Sequence, residues 1–162
     1  MKPLLPFIID IDYRLLNTIF TEESNNFKVY SDYRGIIGEK WQINKLQKKY
    51  IYIYEVMNKL QINGRPRFYI LKANTKLGNH VDNGTLCSIN FLLNTENAPI
   101  TILDKDYNYK NALIDTTKMH GVDNSKSKLD RRIFKISIFE KTYEQTVSHF
   151  KNLAKNNIIR LV

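Results

Sequence analysis

The sequence predicts a mainly β protein with flanking helices, its strands stacked as an antiparallel double sheet. Three observations predict this. Between residues 65 and 140, short runs rich in β-branched and aromatic residues recur, separated by polar turns. Strands at that spacing suit a sandwich or barrel better than βαβ units. The segment before them and the segment after them carry apolar residues at helical spacing instead. A chain of 162 residues is one domain's worth, with room for a real core.

Taken in order, residues 1–64 read as a helical segment. "YRLLNTIFTEE" places Leu15, Leu16, Ile19 and Phe20 on one helical face. "NKLQKKYIYIYEVMNKLQ" has a strand-like centre, "YIYIY". Leu46, Tyr50, Tyr54 and Met57 nevertheless share a helical stripe, and a helix is expected. Asn63-Gly64 ends it in a turn. The strand runs are "RPRFYILKA", "TLCSINFLLN", "APITILD", "NALIDTT" and "RRIFKISIFE", and together they make the core, residues 65–140. "KTYEQTVSHFKNLAKNN" then closes the chain as a helix within residues 141–162, with Val147, Phe150 and Leu153 as its apolar stripe. His149 is read as lying on the surface or boundary of that helix, with no metal role.

Composition narrows the function. No apolar run is long enough to cross a bilayer. The apolar start meets Asp10 and Asp12 early and has no small-residue cleavage site, so no signal peptide is expected. The lone cysteine, Cys87, excludes an internal disulfide and fits a reducing, cytoplasmic compartment. It sits in an apolar run, as a buried structural thiol does. The net charge of +9 admits a nucleic-acid partner. The lysines are scattered rather than massed in one block, so that partner is not favoured. Lys118, Lys126 and Lys128 read as solvated loop charges that could also border a substrate entrance.

The chemistry concentrates in "KLGNHVDNGT". Side chains two apart on a strand point the same way, so His80 and Asp82 can offer an imidazole and a carboxylate to one point. His120 follows the run "NALID", and Arg131 opens a later β-run. Two histidines and a carboxylate on one face of a metal make the site of non-haem Fe(II) oxygenases. A plainer reading stands beside it. "DNG" is a turn signal on its own, His80 could be a surface residue, and His120 could bond a backbone carbonyl.

With its His-x-Asp, distal His and downstream Arg among β-runs, the stretch 65–140 resembles the 2-oxoglutarate/Fe(II)-dependent dioxygenases. The likeness is to small aspartyl/asparaginyl- or prolyl-hydroxylase-like members. "RFYILKANTKLGNHVDNGTLCSINFLLN", "NALIDTTKMHGVDNS" and "RRIFKISIF" carry it. The resemblance implies a cupin-like double-stranded β-helix, or jelly roll. It implies Fe(II) held by His80, Asp82 and His120, and 2-oxoglutarate and O2 as co-substrates. Oxidative decarboxylation to succinate and CO2 would be coupled to hydroxylation of a peptide or protein side chain (Asp, Asn or Pro) or a related small molecule. A nucleic-acid substrate and a non-catalytic cupin-like binding protein are the alternatives.

The same resemblance implies that Arg131 or Arg132 pairs with the distal carboxylate of 2-oxoglutarate. Arg132 shares a strand face with Phe134, Ile136 and Ile138, the more apolar face, which is expected to point into the barrel. Arg132 is therefore the expected clamp. Asn90 and Tyr69 are candidates for further co-substrate contacts, the plain readings being a polar strand residue and a core tyrosine. Ala73-Asn74 stands where relatives often carry Pro-Gly, and Asn accepts the positive φ such a turn needs. "YSDYRGIIGEKWQ", with Tyr30, Tyr33, Arg34 and Trp41, is expected to form a substrate lid or to pack.

Overall fold

A computed structural model describes residues 1–29, 41–45, 50–94 and 96–162. The expected lid segment falls on residues 30–42 and lies, apart from the backbone of Trp41 and residue Gln42, outside them. β4 (Arg65–Leu71), β6 (Cys87–Leu92), β9 (Asn111–Ile114) and β11 (Arg131–Ile138) form the centre of one sheet, in the spatial order β4-β11-β6-β9. β5 (Thr75–His80), β7 (Ile100–Ile102), β8 (Lys105–Tyr107) and β10 (His120–Asn124) form the second, in the order β5-β10-β7-β8. Every pairing in both is antiparallel. The chain passes from one sheet to the other and back as it advances, which is the winding of a double-stranded β-helix.

The large sheet extends beyond this centre. β1 (Leu4–Ile9) pairs with β9 and with β12 (Ile159–Leu161) on one side. β2 (Lys28–Val29) and β3 (Trp41–Lys45) add to β4 on the other. The segment before residue 65, expected to be helical, thus also supplies strands. α1 (Tyr13–Glu22) forms where expected, its first turn capped by the Asp12 carboxylate, which accepts from the N–H groups of Arg14 and Leu15. α2 (Ile51–Lys59) is shorter than the expected helix, because Trp41–Lys45 is extended. α3 (Tyr143–Lys155) begins at a Thr142/Gln145 capping box.

The large sheet buries both faces. Its outer face, with Phe68, Phe91 and Phe134, packs under the helices, where Phe20 of α1 meets Phe68 and Phe150 of α3 meets Phe7. Its inner face, with Tyr69, Leu71, Leu92 and Ile133, packs on Leu77, Ile100, Ile102 and Val122 of the small sheet. Cys87 is fully buried against α3, and burial pushes its thiol up to about 11. His149 bonds the Leu60 carbonyl through Nε2 at 2.8 Å, between α3 and the end of α2. Among the described residues no helix is long and apolar enough to cross a membrane.

Candidate metal centre and its pocket

The site sits between the two sheets, at the end of β5 and the start of β10. His80 and His120 are direct register partners across these strands, with ring centroids 4.5 Å apart. Asp82 lies two residues past the end of β5, where its N–H donates to the Thr116 carbonyl at 3.0 Å and ties the turn to the loop before His120. The turn that launches β5 has Asn74 at φ +58°, as an Asn there allows.

These constraints bring three donors together. Asp82 Oδ1 is 3.4 Å from His80 Nε2 and 3.6 Å from His120 Nε2. The ligand atoms of all three residues lie within 4.8 Å of one another. The tautomers follow from the outer ring nitrogens. His80 Nδ1 is 2.7 Å from the Gly78 carbonyl and His120 Nδ1 is 2.8 Å from the Lys118 carbonyl. A carbonyl only accepts, so each Nδ1 carries the proton and each Nε2 presents its lone pair to the centre. Two imidazole nitrogens and one carboxylate oxygen on one side of a point fit a divalent transition metal, and the set matches the two-histidine, one-carboxylate arrangement used for Fe(II).

Lys135, on the inner face of β11, donates to Asp82 Oδ2 at 2.7 Å. It engages the oxygen that does not face the histidines. Burial alone would raise the Asp82 carboxyl, but the interactions around it, led by the Lys135 ammonium, outweigh burial and hold the group far below the usual carboxylate range. Burial lowers His120 to about 4, against the opposing pull of Asp82, so its imidazole is neutral at pH 7. Burial pushes Lys135 down, but the charge and hydrogen bond of Asp82, together with Tyr69 and Tyr109, outweigh it and Lys135 is raised.

A pocket of about 90 Å³ opens beside this centre, against the ~10–15 Å³ that a single water needs. Arg131 lines it and is 2% exposed. Its guanidinium donates to the Ala98 carbonyl and, at 3.1 Å, to the Tyr109 hydroxyl, while Nε has no partner. Among the described residues no carboxylate pairs with it. Arg132 faces the other way. It is exposed, with its guanidinium 5.3 Å over the Phe20 ring on the helical side. The parity expectation is therefore corrected. Both faces of β11 are buried, and the more apolar one, with Phe134 and Ile136, serves the helices. The mixed face, Arg131, Ile133, Lys135 and Ser137, lines the pocket.

Asn90 and Tyr69 both line the pocket. Asn90 Nδ2 donates to the Tyr109 hydroxyl at 3.3 Å. Sequence reasoning did not single out Lys135, Tyr109, Arg65 or Arg67. A signal existed for three of them. Lys135 interrupts an apolar β-run at the same parity as Arg131, and Arg65 and Arg67 share the parity of Tyr69. Tyr109 sits in the loop between β8 and β9 and carried none.

No family model matches the chain, and no curated protein matches it. Solved structures do. A 2OG-Fe(II) oxygenase family oxidoreductase from Burkholderia pseudomallei aligns at a TM-score of 0.52 and 7% identity, over 77% of this chain and 76% of that one. Salicylate 1,2-dioxygenase from Pseudoaminobacter salicylatoxidans aligns at 0.46 and 7% identity, over 94% of this chain and 36% of that one. Ectoine synthase from P. lautus aligns at 0.44 and 9% identity, over 78% and 79%. Scores below 0.5 carry no weight here, and identities this low speak to architecture alone. What the chain shares with the Burkholderia protein is the jelly-roll, cupin-like fold.

Proposed function

We propose that the protein is an Fe(II)- and 2-oxoglutarate-dependent dioxygenase that hydroxylates its substrate. The observation that carries this reading is Arg131. A guanidinium buried without a carboxylate is costly, and this one points into the same pocket as a His80-Asp82-His120 donor set. A ligand that chelates the metal at one end and carries a carboxylate at the other satisfies both. 2-Oxoglutarate is such a ligand.

His80, Asp82 and His120 would hold the metal, and their partners Gly78, Lys135 and Lys118 would fix how each donor points. Arg131 would take the distal carboxylate through charge-assisted hydrogen bonds, with Tyr109, whose hydroxyl accepts from Asn90 and Arg131 and keeps its own O–H to donate, as a second donor. Leu77, Ile100, Val122 and Ile133 give the pocket apolar walls and keep bulk water from the reacting centre. Fe(II) with 2-oxoglutarate and O2 supplies the oxidising chemistry. 2-Oxoglutarate loses CO2 and becomes succinate, taking one oxygen atom, and the substrate C–H becomes C–OH with the other. The resemblance of the sequence makes a peptide side chain (Asp, Asn or Pro) or a related small molecule the acceptor in this proposal.

One observation favours a second reading, a metal and ligand binder without turnover. The Lys135 ammonium contacts a ligand carboxylate and weakens it as a donor. Succinate yield separates the two. Under air with Fe(II), 2-oxoglutarate and ascorbate, which supplies the two electrons that a substrate C–H otherwise gives, the enzyme reading predicts several succinates per protein, lost in His80→Ala and His120→Ala. Fewer than one succinate per protein, with the co-substrate bound, would leave only the binder.

A further inference from the structure

The pocket holds more positive charge than a metal and a co-substrate employ. Arg65, Arg67, Arg131 and Lys135 line it against the single carboxylate of Asp82. A divalent metal and dianionic 2-oxoglutarate cancel each other, so three surplus positive charges persist when both are bound. A cleft walled by one sign of charge concentrates ions of the other.

The sheet ladder places these charges. On the inner face, Arg131 stands opposite Leu71, Ile133 opposite Tyr69, Lys135 opposite Arg67, and Ser137 opposite Arg65. Successive rows on one face are ~7 Å apart. Lys135 bonds Asp82, so the donor set stands over the Lys135–Arg67 row. Arg131 is two rows to one side of it and Arg65 one row to the other. The Arg67 side chain makes no hydrogen bond or ion pair among the described residues. The Arg65 guanidinium carbon lies 4.6 Å from the centroid of the Phe139 ring, a cation–π contact that occupies none of its N–H donors in a hydrogen bond.

We propose that Arg67 and Arg65 form an anion subsite for the primary substrate, a molecule that bears a carboxylate or phosphate group near the carbon to be oxidised. The proposal rests on the dioxygenase reading, because that reading assigns Arg131 and its end of the pocket to the co-substrate. Guanidinium groups take either anion through paired N–H donors. Of the peptide side chains considered above, Asp supplies such a group, whereas Asn and Pro leave both arginines unmatched.

The test uses the full chain loaded with Mn(II), which binds like Fe(II) but does not turn over, and with 2-oxoglutarate. Benzoate, phenyl phosphate and neutral benzamide are titrated calorimetrically. At least one anion should bind ten or more times tighter than benzamide, and the tighter of the two names the group. Arg65→Gln/Arg67→Gln should weaken it at least tenfold while 2-oxoglutarate affinity changes less than threefold, and Arg67→Lys should retain most of it. Arg65→Gln alone alters an exposed side chain, folds, and should still weaken the anion severalfold. Equal binding of benzamide, or anion affinity unchanged in Arg65→Gln and in the folded double variant, would overturn the proposal. So would anion binding lost in Arg131→Ala alone, since the anion would then occupy the co-substrate end. If 2-oxoglutarate fails to bind but the anions bind through Arg67, the subsite stands and the dioxygenase reading falls.

Discussion

Asp82 answers to two demands at once. One oxygen faces both histidines and the other holds the Lys135 ammonium, and both partners of that pair are nearly buried. Breaking a buried pair from one side strands a charge, at a cost of about 3–5 kcal/mol. Asp82→Asn should therefore lower the stability of the metal-free protein by about that amount in denaturant melts and abolish metal binding. Adding Lys135→Met should restore much of the stability and none of the metal binding. A double variant as unstable as the single one would show that Asp82 matters to the fold for another reason. The three donors were legible in the sequence because His-x-Asp and a distal histidine form a pattern of side-chain types. Lys135 was not, because a pattern of ligands says nothing about what neutralises them.

At the scale of elements, β11 shows where sequence parity stops. Its two faces were correctly separable as Arg131/Ile133/Lys135/Ser137 and Arg132/Phe134/Ile136/Ile138. Which face looks into the pocket depends on what covers the other. Phe134 lies beneath the helical layer, stacked on Phe91 and edge-on to Phe68, and that layer includes the partly anticipated α1, α2 and α3. Apolarity alone therefore pointed the wrong way. The strand β1 was missed for a similar reason. Its pairing partners, β9 and β12, lie more than a hundred residues downstream, and no local pattern records them. β10 makes a close demand beside the donors. The register slips between His120 and Val122, and a Cβ at Gly121 would stand 2.9 Å from the Leu77 carbonyl and 2.6 Å from Asn79 Oδ1. The Asn79 side chain can move, but the backbone carbonyl cannot. Gly121→Ala should push β10 from β5 and separate His120 from His80. The expected outcome is a folded protein whose Mn(II) affinity, by calorimetry, falls at least tenfold. Unchanged affinity would mean that the two strands yield without disturbing the donors.

For the whole molecule, the centre couples stability to acid. His120 titrates near 4 in the folded protein because burial disfavours its charged form. Its ordinary value is about 6.5. Between these values the unfolded chain binds the proton and the folded one does not. The stability of the metal-free protein is thus full above about pH 6.5 and falls as pH drops to about 4, by about 3 kcal/mol from this group. Asp82, depressed in the folded state, extends the loss to lower pH. Thermal melts of metal-free protein should show Tm falling through that window, and His120→Gln should flatten the upper part of it. A Tm constant from pH 7 to 4 would contradict the burial argument. The jelly roll itself was legible from the rhythm of short strands between residues 65 and 140, and the net charge of +9 was legible as a number only. Folding shows where part of it is used, by gathering Arg65, Arg67, Arg131 and Lys135 on one pocket wall.

The central claim is that the donor set and Arg131 together hold an Fe(II)·2-oxoglutarate chelate. The most direct measurement is the visible charge-transfer band of that chelate, recorded anaerobically on the protein with Fe(II) and 2-oxoglutarate. The account predicts a band in the unaltered protein and in Arg132→Ala, weakened at least tenfold in co-substrate affinity by Arg131→Ala, and absent in His120→Ala. A band that survives Arg131→Ala and fails in a folded Arg132→Ala, or no band with the metal bound, would contradict it.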